Sequence, residues 1–90
     1  MNKQEIEEKI LETKLELMLL YELKAHSILK EYKIDEIMYP HYLKFMRDLF
    51  FLKWYIGRKL LKQIIEELIK RGSEKGLKKS IMRKLVKELI

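Results

Sequence analysis

His26 and His41 are the only imidazoles in this chain of 90 residues, and cysteine is absent. The aliphatic hydroxyls are Thr13, Ser27, Ser73 and Ser80. Nucleophilic catalysis needs a nucleophile, a base within hydrogen-bond reach and a group that orients the base. No spacing in the chain supplies such a set. Glu22 and His26 fall on one helix face and make half a metal site, a pattern that arises often by chance. His41 and Asp48 stand seven residues apart, too far along a helix for a direct pair. No glycine-rich phosphate loop occurs. The residues therefore point away from an enzyme, with no metal and no cofactor.

Charge is the stronger signal. Residues 1–36 hold nine acids and six bases, a net of −3. Residues 53–87 hold twelve bases against Glu66, Glu67 and Glu74, a net of +9. Lysine and arginine earn affinity for nucleic acid by displacing counterions from phosphates. The candidate nucleic-acid contacts are Lys75, Lys78, Lys79, Arg83, Lys84 and Lys87, with Arg58 and Lys59. The alternative is an ordinary solvated face. Pairs at i,i+4 spacing (Lys62–Glu66, Glu66–Lys70 and Glu67–Arg71) are expected to neutralise part of the preceding helix. The C-terminal helix has little such compensation.

Seven of the nine aromatics fall between Tyr39 and Tyr55. Tyr39, Tyr42, Phe45, Phe50, Phe51, Trp54 and Tyr55 are expected at a protein interface, where large rings dominate the energetics. Phe50 and Phe51 are adjacent and cannot share one helix face, so at least one must meet a second surface. Lys44, Arg47 and Lys53 interleave the rings, which also suits base stacking by single strands. Core or interface is the favoured reading.

These residues need elements to hold them. One domain is expected from the length. Such a chain buries about 60–65% of its unfolded surface and is marginally stable alone. Apolar residues make up 48% of it. Asn2 caps a first helix, with Glu5 answering as in a capping box. Ile6, Ile10, Leu17, Tyr21, Ile28 and Tyr32 lie within about 80° at helical spacing. Leu11, Leu15, Met18 and Leu29 form a second stripe, and Leu15–Leu23 is apolar in nearly every direction. A helix apolar on most sides must be covered on most sides. Helix 1 is predicted over about 3–33.

Asp35 starts a single turn, and Pro40 suits the first turn of the next helix. Helix 2 is predicted over about 40–71, stopped by Gly72 as a left-handed C-cap. Gly57 inside it marks a kink or a close crossing. Ser73 is expected to cap helix 3, over about 74–89, with Leu77, Ile81, Leu85 and Leu89 as its apolar stripe. A helix-turn-helix pairing of QIIEELIKRG with LKKSIMRKLVKELI across SEKG fits in turn length, but it lacks the small residue usual in its first helix.

The fold class expected is all-α: a long antiparallel helical hairpin with a shorter third helix. Each arm of the hairpin is on the order of 45 Å long. Helix 3, folding back from Gly72, is expected to cover only the half near the N-terminus. The aromatic loop end would stay open, and a second copy or a partner would complete the bundle. The first ten residues do not resemble a signal peptide, and no uncharged run approaches the roughly 20 residues of a membrane span. A cytoplasmic protein follows as the expectation. Abundant Lys and Glu with one Asn and two Gln suggest a thermophile, in the manner of an archaeon or its virus.

The function expected is that of a non-catalytic accessory protein. It binds a larger protein, or a second copy of itself, through the aromatic surface and meets a DNA or RNA backbone through the basic helix. A small subunit of a replication polymerase assembly would fit. The rivals are a homodimeric DNA-binding regulator or chromatin-type protein and, less favoured, a module for a membrane surface or a partner helix.

Overall fold

A computed structural model describes residues 1–89. Three helices account for most of them: α1 (Lys3–Leu29), α2 (Tyr39–Glu74) and α3 (Lys79–Leu89). The described residues contain no strand.

Each boundary has a local cause. The Asn2 side chain accepts from the Glu5 backbone N–H at 2.8 Å and donates to the Glu5 carboxylate at 3.1 Å. This satisfies one of the orphan donors at the start of α1. At the other end the Glu31 and Tyr32 N–H groups reach back three residues, to Ile28 and Leu29. The helix tightens into turns there, so it is shorter than the sequence suggests. Asp35 starts the next turn. Its carbonyl accepts from Met38 and Tyr39, and its side chain accepts from the Ile37 N–H. Pro40 sits in the first turn of α2, where its missing N–H costs nothing.

α2 is not one rod. Gly57 has φ +77° and ψ 169°, a region open essentially to glycine alone. The chain reverses there into two limbs, 39–56 and 58–74. The limbs lie side by side and antiparallel. His41, Lys44, Phe45 and Asp48 face Leu68, Arg71, Gly72 and Lys75 across one groove. Near the far end a Cβ on Gly76 would lie 3.3 Å from Met38.

The stop of α2 also differs from the expectation. Gly72 is helical and buried, and the left-handed residue is Gly76, at φ +96°. Leu77 N–H bonds to the Gly72 carbonyl and Gly76 N–H to that of Ser73, each at 3.0 Å. This is a Schellman ending. Ser73 therefore belongs to α2, and α3 begins at Lys79 rather than near 74.

α3 runs back along the second limb, with Arg83 on Glu66 and Lys79 beside Lys70. The core joins Ala25 and Leu29 of α1 to Tyr42, Met46 and Leu49 of the first limb. Leu61 and Ile69 come from the second limb, and Met82, Leu85 and Leu89 from α3.

The reversal at Gly57 overturns the expected long hairpin. The second limb and α3 cover the loop end of the chain, not the N-terminal end. Every residue from Met1 to Glu16 is exposed. The molecule measures 49 × 28 × 19 Å with a radius of gyration of 15.2 Å. A compact domain of this length has about 12 Å. The extension comes from α1, whose 27 residues make a rod of roughly 40 Å.

Candidate functional site

His26 sits in a polar chain. His26 Nδ1 lies 2.7 Å from the Tyr39 hydroxyl, and its Nε2 lies 3.4 Å from Glu22. Glu22 in turn takes a two-pronged contact from Arg47, with Nε at 2.9 Å. An ionised carboxylate only accepts, so a neutral His26 carries its proton on Nε2 and Tyr39 donates to Nδ1. The Arg47 guanidinium holds the Glu22 carboxyl below its ordinary range, against a smaller opposing effect of burial. Glu22 raises Arg47 in return.

The four side chains clamp α1 to the first limb. The fixed guanidinium beside Glu22 disfavours a cation there, so Glu22 and His26 do not build on their half of a metal site. Among the described residues no cluster of three or more metal-ligating side chains occurs. The cleft beside the clamp, between Tyr21, Arg47 and Trp54, holds about 90 Å³. Small-molecule sites are usually about 300–1,000 Å³.

The seven aromatics divide into three groups. Tyr42 and Phe45, expected at an exposed interface, are core residues at 3% and 7% exposure. The second limb and α3 bury them, so they take no part in a free docking face. Tyr39 and Phe50 are half-buried against α1. Tyr39 bonds His26, and Phe50 stacks on Tyr21 with centroids 4.4 Å apart. Phe51, Trp54 and Tyr55 remain exposed, Tyr55 at 82%. They line a shallow surface with Lys14 and Met18 of α1. Adjacent Phe50 and Phe51 do face different surroundings.

The three cations that interleave these rings in the sequence each have a partner. Lys44 pairs with Asp48 at 3.2 Å, Arg47 with Glu22, and Lys53 donates to the Leu89 carbonyl at 3.2 Å. A stacking platform needs cations free to track a backbone.

The basic residues lie on the other side of the sequence and on other elements. Lys75, Lys78, Lys79, Lys84 and Lys87 are exposed, as are Arg58 and Lys59 near the bend. Arg83 is exposed as well but paired. It forks onto Glu66 at 3.0 and 3.4 Å, a partner 17 residues away. Glu66 was expected to serve Lys62 or Lys70. Glu67 pairs with Arg71 at 3.3 Å, as the i,i+4 spacing suggests. Among the described residues no carboxylate comes within 4.0 Å of the five exposed lysines. No described helix is long and apolar enough to cross a membrane.

A further exposed apolar surface lies on α1. Ile6, Ile10, Leu11, Leu15, Leu19, Leu20 and Leu23 are exposed. The sequence carries the signal, because Leu15–Leu23 is apolar on nearly every side. Comparison with family models, with curated proteins and with solved structures finds no match to this chain.

Proposed function

We propose that this chain is a non-catalytic accessory protein that meets a nucleic-acid backbone through α3 and the turn before it. It docks on a larger protein through the exposed rings Phe51, Trp54 and Tyr55. The observation that carries the reading is the contrast among its cations. Arg71 and Arg83 are spent on Glu67 and Glu66, whereas Lys75, Lys78, Lys79, Lys84 and Lys87 stand exposed without a carboxylate among the described residues. A cluster of uncompensated lysines is the footprint of a polyanion contact. Lysine there serves as a point charge and reads no base, so the binding has little sequence preference. A small subunit of a replication assembly remains an example of such a role.

The test is fluorescence anisotropy with a labelled duplex and a labelled single strand over a salt series. Wild-type affinity should fall steeply with salt. The variant Lys79→Glu/Lys84→Glu/Lys87→Glu should bind far more weakly, and its log–log salt slope should shrink by about 3 if each lysine neutralises one phosphate. None of these three side chains is buried, so the fold should survive. Unchanged affinity and slope would remove α3 as the contact surface.

A further inference from the structure

Four nitrogen-bearing side chains meet in the groove between the two limbs of α2: His41 and Lys44 from the first limb, Arg71 and Lys75 from the second. Both ledges are built the same way. Positions 41, 44, 45 and 48 and positions 68, 71, 72 and 75 each follow the i, i+3, i+4, i+7 spacing of one helix face. The limbs run antiparallel, with Met38 beside Gly76 and the Tyr42 hydroxyl on the Lys78 N–H. His41 therefore comes opposite Lys75. Asp48 falls at the other end, opposite Leu68 and about 10 Å along the helix from His41. Phe45, Gly72 and Leu77 in the lining are buried. An apolar floor keeps water off one side of an anion and strengthens its attraction to the cations.

These side chains have hydrogen-bonding capacity to spare. Lys75 and His41 have no carboxylate within 4.0 Å among the described residues. Arg71 gives Glu67 only its Nε, at 3.3 Å, and Lys44 reaches Asp48 at 3.2 Å. Both pairs are exposed and of the weak kind, so either cation can turn to a stronger acceptor. Lys44, Arg71 and Lys75 against Asp48 and Glu67 leave the groove positive even with His41 neutral.

We propose that this groove seats one phosphate group, a phosphomonoester or a phosphodiester, through His41, Lys44, Arg71 and Lys75. Its volume of about 140 Å³ suits a phosphoryl group and falls short of a drug-sized ligand. The planar fork of Arg71 can take two oxygens at once, and the two lysines supply point charges. His41 donates an N–H, and adds a charge when protonated. Donors on two opposing walls match the tetrahedral oxygens of phosphate better than a planar carboxylate. Lys75 is the one residue shared with the lysine cluster of α3, so the inference does not rest on the nucleic-acid reading.

The two imidazoles give a direct readout, because His26 lies outside the groove. Inorganic phosphate is titrated at constant pH, with sodium chloride at matched ionic strength as the control, and the ring protons are followed by NMR. The His41 signals should move along a saturable curve with phosphate alone, while those of His26 stay. Arg71→Gln/Lys75→Gln should weaken binding about tenfold or more, since two charge-assisted hydrogen bonds are lost. Both side chains are exposed, so the helical circular dichroism should be kept. Shifts that grow linearly, shifts that chloride reproduces, or a Kd unaltered by the double substitution would overturn the proposal.

A short single strand with and without a 5′-phosphate identifies the source. A preference for the phosphorylated strand, lost in Arg71→Gln/Lys75→Gln, assigns a phosphomonoester. Equal binding of both strands, weakened by the same variant, assigns a backbone phosphodiester. Lys79→Glu/Lys84→Glu/Lys87→Glu should still show the saturable His41 shift, which tells failure of the α3 contact apart from failure of this site.

Discussion

The Tyr42 hydroxyl accepts the backbone N–H of Lys78 at 2.8 Å, a contact 36 residues apart in the chain. It ties the first limb of α2 to the start of α3, where helix N–H groups have no partner of their own. The ring itself is 3% exposed. One side chain thus fills the core and completes a helix terminus.

Tyr42→Phe keeps the ring and removes the acceptor. Stability should fall by about 1 kcal/mol, which is a drop of roughly 4–8 °C in Tm for a domain this small. Thermal unfolding followed by circular dichroism measures it. An unchanged Tm would mean that water serves the Lys78 N–H equally well.

Gly57 and Gly72 should respond to alanine for different reasons. At Gly57 an added Cβ meets nothing within 4 Å, but φ is +77°. The cost is backbone strain, about 1–3 kcal/mol. D-alanine at this position, placed by chemical synthesis, accepts positive φ and should restore stability, whereas no change in a neighbouring side chain should.

Gly72 is helical, and there the obstacle is packing. A Cβ would lie 2.4 Å from Met82 Sδ and 3.2 Å from Leu77. Met82 is fully buried and has little room to retreat. Gly72→Ala should cost about 1–3 kcal/mol through overpacking. Met82→Ala in the same chain should recover part of that loss. If the two substitutions simply add, the contact is not the cause.

The Glu22–Arg47 pair makes stability depend on acid. Arg47 lowers the Glu22 pKa from its ordinary value of 4.5. Between the folded and unfolded values the unfolded chain binds the extra proton, so the pair stabilises the fold above pH 4.5 and loses that contribution as pH falls through the lower folded value. Both groups are partly exposed, so the size at neutral pH is about 0.2–1 kcal/mol. The gap in stability between wild type and Arg47→Ala should hold from neutrality down to the unfolded value of 4.5 and close as pH falls through the lower folded value. A gap that stays constant through the whole acid limb would assign the effect to packing of the arginine stem.

Local chemistry was legible in the sequence by itself. Asn2 and Glu5 mark the start of α1, Asp35 the single turn, and Pro40 the first turn of α2. These signals act within a few residues, where hydrogen-bond donors and fixed φ values leave little choice. The stripe of α3 was legible too: Leu77, Leu85 and Leu89 are buried, with Met82 beside them. So was the charge division, which belongs to composition alone.

Only the tertiary structure decided what covers what. Gly57 lies in a segment whose neighbours all favour helix, and a glycine there can bend, kink or stay straight at small cost. The reversal wins because it lays the second limb on the first and buries Leu61 and Ile69 with Tyr42, Met46 and Leu49. That gain comes from residues distant in sequence, so no local window contains it. Once the chain turns at Gly57, the rest follows. Tyr42 and Phe45 become core, Arg83 finds Glu66, and α1 is left with its leucines in solvent. The sequence determined that α1 carries apolar residues on most of its sides. The turn at Gly57 determined that its own chain leaves most of it bare.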